Sequence, residues 1–76
     1  MSWSYRILHD GKNFWVGEVY YDAAGNPESY TDASVDTLRW DNLNDLWGTI
    51  EKIAQDTTRP VLKVDPVTEK ILGEMK

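Results

Sequence analysis

The sequence predicts an α+β fold, a single small domain in which an antiparallel β-β-β-α-β chain packs one helix on one face of its sheet. Three observations carry this expectation. Residues 3–8 (WSYRIL) and 13–21 are rich in β-forming types and flank an Asp10-Gly11 pair. The stretch DAAGNP, residues 22–27, has turn composition and precedes a third β-rich run. Leu43, Leu46, Trp47, Ile50, Ile53 and Ala54 recur at the spacing of one helix face.

The first two strands form a hairpin. Asp10-Gly11 is a strong two-residue turn signal, because both positions tolerate positive φ. Closing on it pairs His9 with Lys12, Ile7 with Phe14, Arg6 with Trp15 and Tyr5 with Val16. Gly25 suits the left-handed end of the next turn. Pro27 then opens a third strand, over about 28–31, which fits an edge strand because proline cannot donate to a ladder. Tyr30 is expected to face Glu18. In DASVDTLRW, residues 32–40, Val35, Leu38 and Trp40 are expected to plug gaps.

The helix begins after Asp41 or Asn42, either of which can cap it, with Asp45 in the first turn where the dipole favours an acid. Leu46, Trp47, Ile50 and Ile53 are expected to be buried against the sheet. The helix stops before Pro60, which disfavours the α conformation at Arg59. PVLKV, residues 60–64, is a fourth strand. The domain thus spans 1–65, and 66–76 forms a tail or short helix with a weak stripe of Val67, Ile71, Leu72 and Met75.

Strand two, FWVGEVYY, is apolar on both faces. The helix is assigned to the face carrying Tyr5, Ile7, Phe14, Val16 and Tyr30. Leu8, Trp15, Val19 and Tyr21 remain on the other, to be covered by the tail or by another chain. Arg6, Trp15, Val19 and Tyr21 are therefore the expected protein-binding residues, since Trp, Tyr and Arg are enriched at binding hot spots. Arg6 can stack on Trp15.

The net charge is −5. It is concentrated in residues 18–56, which sum to −7, while the segments on either side each sum to +1. Phosphate backbones attract Lys and Arg, so direct nucleic-acid binding is disfavoured and a basic protein surface is the more natural charged partner. Cysteine is absent, which excludes a disulfide framework and a thiolate zinc site. No apolar run approaches membrane-spanning length and the N-terminus lacks signal-peptide character, so the expected location is cytoplasmic. A chain of 76 residues buries only about 60–65% of its unfolded surface, which argues against a large catalytic cleft.

The order β-β-β-α-β, with DNLNDLWGTIEKI as the helix, resembles the partial RNase-H-like domain of HicB-type antitoxins. Asp41, Asn42, Leu43, Asn44 and Asp45 occupy the places of that family's helix opening. EVYYDAAGNPESYT also resembles a motif of small uncharacterised bacterial and phage proteins. The resemblance implies the fold and a tendency to dimerise and bind protein. DASVDTLRW replaces that family's Pro-rich stretch and no DNA-binding domain follows, so a repressor role is not implied.

No catalytic residue, cofactor site or metal site is expected. His9, the single histidine, abuts the turn with no serine–acid spacing around it. Asp32, Asp36, Asp41 and Asp45 fit no calcium-loop pattern and read as caps and turns. Glu18, among apolar neighbours, needs donors such as Tyr20 or Tyr30, because a buried unpaired carboxylate is costly. The expected function is a small acidic, non-catalytic interaction module that binds protein or dimerises. The alternatives are a phage- or mobile-element-encoded inhibitor that uses its acidic surface to block a nucleic-acid-binding protein, and an enzyme whose chemistry the sequence does not display.

Overall fold

A computed structural model describes residues 2–32, 34 and 38–75. Five strands and one helix follow in the order β1 (Ser2–His9), β2 (Phe14–Tyr21), β3 (Pro27–Tyr30), α1 (Leu43–Asp56), β4 (Leu62–Val64) and β5 (Ile71–Glu74). The sheet order is β3-β2-β1-β4-β5. The α+β class stands, but the sheet is mixed. β1 pairs antiparallel with β2 and parallel with β4, with Leu8 opposite Leu62. The expected all-antiparallel arrangement is thus corrected. α1 carries the chain across the sheet, as a crossover between parallel neighbours requires. The expected tail also needs correction, because residues 71–74 pair with β4 as a fifth strand.

The three tight turns share one construction, an aspartate whose carboxylate accepts backbone N–H groups just downstream. Asp10 Oδ1 accepts from Lys12 at 2.9 Å and Asn13 at 2.7 Å. Asp22 Oδ1 accepts from Ala24 and Asn26, both at 2.9 Å. Asp65 Oδ1 accepts from Val67 at 2.8 Å and Thr68 at 3.3 Å. Gly11 and Gly25 take φ of 94° and 85°, which a residue without a Cβ reaches at little cost. The first turn spans Asp10 to Asn13, so the hairpin register differs by two residues from the expected one. His9 faces Phe14, Leu8 faces Trp15 and Ile7 faces Val16. A two-residue slip preserves side-chain parity, so the faces of β1 and β2 are as expected. Tyr30 is not: it pairs with Val19 rather than Glu18 and packs on the Trp15 side of the sheet.

Asn42 caps the helix. Its side chain accepts from the Asp45 backbone N–H at 2.9 Å and donates to the Asp45 carboxylate at 2.8 Å. At the other end, the Thr57 backbone N–H and hydroxyl both donate to the Ile53 carbonyl. Against the sheet, Asp56 accepts the Tyr5 backbone N–H at 3.0 Å. Lys52 pairs with Asp56 at 3.2 Å and lies over the Trp3 ring.

The core lies on the sheet face away from these contacts. Leu8, Val19, Tyr21, Leu62 and Val64 form it, with Trp15, Tyr30 and Ile71 packed around them. The sheet rolls far enough for its two edge strands, β3 and β5, to touch. Gly17 makes room for this curl: a Cβ there would lie 2.8 Å from a Leu8 methyl and 3.1 Å from the Thr31 carbonyl. On the opposite face Phe14 is exposed and Ile7 and Val16 are half-buried. The expected gap-fillers Leu38 and Trp40 are exposed, and Val35 lies outside the described residues.

Two predictions follow from this packing. Gly17→Ala forces Leu8 to move inside a filled core and should cost about 1–3 kcal/mol, measured by denaturant unfolding. The Asp10 carboxyl is held below the ordinary value of 3.8 by the Asn13 and Lys12 backbone N–H groups, and that of Asp65 by Val67 and Thr68. A lowered folded pKa contributes stability that is present above the unfolded value and lost as pH falls through the folded one. Melting temperature should therefore fall on acidification below about pH 3.8. Replacing both residues with Asn, which accepts similar bonds without titrating, should flatten that fall.

Candidate interaction surface

The four residues expected to meet a partner lie inside the rolled sheet. Arg6, Val19 and Tyr21 are buried and Trp15 is half-buried, its indole N–H donating to the Thr31 carbonyl at 3.3 Å. The chain itself covers this face with β3, β4 and β5; of the two expected covers, the C-terminal segment supplies part of it through Ile71. Arg6 does not stack on Trp15. Its Nη1 donates to the Tyr21 hydroxyl at 3.1 Å and its Nη2 to the Pro60 carbonyl at 2.7 Å, with Glu74 at 3.6 Å. Among the described residues Arg6 Nε has no hydrogen-bond partner.

Around Tyr21 the polar groups form a closed set. Ser4 Oγ lies 2.7 Å from the Tyr21 hydroxyl, Arg59 donates to Ser4 at 3.2 Å, and the Arg59 guanidinium stands over the Tyr21 ring. Burial raises the phenol's pKa, but hydrogen bonds from Ser4 and Arg6, with the charges of Arg6 and Arg59, outweigh it and hold Tyr21 below 10.0. Burial pushes Tyr5 and Tyr30 above 10.0, and the hydrogen bond to Glu18 does the same for Tyr20. The cluster ties β1, β2 and the segment after the helix together, with Ser4, Arg6 and Tyr21 buried and Arg59 at its exposed rim.

Glu18 is half-buried and accepts from the Tyr20 hydroxyl at 3.0 Å, one of the two donors expected for it. His9 stacks on Phe14 with ring centroids 3.9 Å apart and meets the Asn13 carbonyl at 2.9 Å through Nδ1. Among the described residues no group of three or more His, Cys, Asp or Glu is placed to hold a metal ion. No helix there is long and apolar enough to cross a membrane.

Exposed apolar side chains occur at several places, Phe14, Val67 and Leu72 among them, and three others line up on α1. Thr49 is its buried residue, Leu46 and Ile53 are half-buried, and Leu43, Trp47 and Ile50 remain 63%, 66% and 50% exposed. This corrects the expectation that Trp47 and Ile50 are buried. At about 100° per residue, the direction toward the sheet lies about a quarter turn from the centre of the apolar stripe. Only one border of the stripe touches the sheet. Periodicity revealed the stripe but not its orientation, which is set by Asp56 and Lys52 engaging β1.

The other flank of α1 overhangs a cleft of about 530 Å³, lined by Trp3, Tyr5 and Glu18 from the sheet and by Trp40, Asn44, Asp45, Gly48, Thr49 and Lys52. No family model, curated protein or solved structure matches the chain.

The tyrosine cluster yields a direct test. In an ultraviolet titration Tyr21 should ionise first of the four tyrosines, and Tyr21→Phe should remove that earliest step. Retention of the step in Tyr21→Phe would show that another phenol carries it.

Proposed function

We propose that this chain is a non-catalytic protein-interaction domain that docks through the outward apolar face of α1. The exposure of Leu43, Trp47 and Ile50 along one helix line supports this reading. Large apolar side chains in such a row are costly in water and mark interaction sites when they adjoin. Leu43, Trp47, Ile50 and Ala54 follow the spacing by which an amphipathic helix anchors in a partner. The stripe is uncharged, so it complements a second uncharged stripe of the same kind. A second copy of the chain supplies one, with Trp47 near the two-fold axis of a helix pair. The resemblance to HicB-type domains implies the same tendency. The binding face thus moves from the sheet, where Trp15, Val19 and Tyr21 serve as core, to the helix.

Trp47→Glu tests the proposal, because an exposed side chain can be changed without opening the core. Sedimentation should show a dimer for the parent chain and a monomer for the variant, with unchanged circular dichroism. Apolar association should also persist in high salt, whereas capture by the acidic surface would weaken steeply. A parent chain that stays monomeric at high concentration would overturn self-association.

A further inference from the structure

We propose that the cleft beneath the other flank of α1 binds an organic ammonium group, the roughly spherical head of a choline-type molecule or of a methylated lysine side chain. The Trp3 and Tyr5 rings meet edge to face, with centroids 5.2 Å apart and planes at 83°. They form a corner, and Trp40 contributes a third aromatic surface to the same cleft. Trp3 and Trp40 are 41% and 50% exposed, so their rings are reachable from solvent. Aromatic faces attract cations, and several faces around one site are the recognised arrangement for alkylated ammonium ions. A corner suits a compact head, whereas a planar guanidinium stacks flat on one ring.

The charges favour the same ligand. Glu18 and Asp45 line the cleft, and among the described residues neither has an ion-pair partner. Each accepts a hydrogen bond, from Tyr20 and from Asn42 respectively, and keeps acceptor capacity besides. The remaining charged lining residue, Lys52, is balanced by Asp56 at 3.2 Å. Its Nζ lies 5.0 Å from the Trp3 ring centroid, so a ligand ammonium must displace this lysine head or use the ring surface that it leaves free. Gly48 fits the same picture. It is unfavourable in a helix, no neighbouring group requires its small size, and a Cβ added there meets nothing within 4 Å. Its missing side chain leaves the cleft open.

This site does not depend on the docking face of α1. Gly48 and Lys52 project from the flank opposite Trp47 and Ile50 at about 100° per residue.

The probes are choline, its uncharged carbon isostere and blocked trimethyllysine, followed by the indole N–H resonances of the intact chain. Choline or trimethyllysine should shift the Trp3 and Trp40 signals while the isostere does not, and the tighter of the two identifies the source of the headgroup. Glu18→Gln should weaken binding about fivefold, the scale of one cation–aromatic or surface charge contact. Gly48→Leu should raise the melting temperature, as a better helix former, and yet weaken binding by filling the cleft. Equal response to choline and its isostere would overturn the proposal. So would absence of any shift, or affinity unchanged in both variants.

Discussion

A sheet of five short strands has two faces, and a single fourteen-residue helix can shield one of them at most. Here the helix does not shield the face that holds the core. The sheet rolls until β3 and β5 meet and buries Leu8, Val19, Leu62 and Val64 inside its own curve. Curvature therefore does the work expected of a helix layer. It depends on Gly17, where Leu8 and Thr31 occupy the space a side chain would take, and on the parallel pairing that sets Leu62 beside Leu8. Because the concave face is closed from within, α1 is free of the core. It is held to β1 by contacts from Asp56 and Lys52 and by the border of its apolar stripe, where Leu46 and Ile53 are half-buried, while Leu43, Trp47 and Ile50 stay in solvent.

Arg6 is the cost of this arrangement. A guanidinium that is 2% exposed has been taken out of water, and such a group is tolerable only when its donors find acceptors. The Tyr21 hydroxyl, the Pro60 carbonyl and Glu74 supply them for the two terminal nitrogens. The chain thereby fixes the segment following the helix against β1. Loss of one partner would leave a buried charge exposed to its own desolvation, so the cluster acts as a clasp more than as a source of stability.

Much of this was legible in the sequence, and the departures have physical causes. The strand pattern of β1 and β2, the helix and its Asn42 cap came from periodicity and capping chemistry, which are local. The register at Asp10 differs by two residues because Asp10-Gly11 signals a two-residue turn, whereas the Asp10 carboxylate organises a wider one through Asn13. Tyr30 changed sides because the ladder shifts register between Tyr20 and Tyr21, and no residue type announces that irregularity. β5 carried a faint helical stripe in the sequence, yet pairing with β4 made it a strand. The four residues expected at an interface were correctly placed on one face, but whether that face is outside or inside depends on curvature. Curvature is a property of the whole sheet and has no local signal. The exposure of α1 has no local signal for the same reason: a helical stripe reads as core until its orientation is known.

The parallel pairing of β1 with β4 also bears on how the chain reaches this structure. β1, β2 and β3 are neighbours in sequence and in the sheet, so their ladders close short loops. Arg6 and Pro60 are separated by 54 positions, and their contact closes a loop that encompasses two strands and the helix. Such closure carries a larger entropy cost and is repaid only when many contacts form together. The three-stranded meander can assemble before this step, whereas the rolled core cannot. Until β4 arrives, Leu8, Val19 and Tyr21 lack much of their cover, so the slow passage in folding is also the interval in which the chain is most open to aggregation.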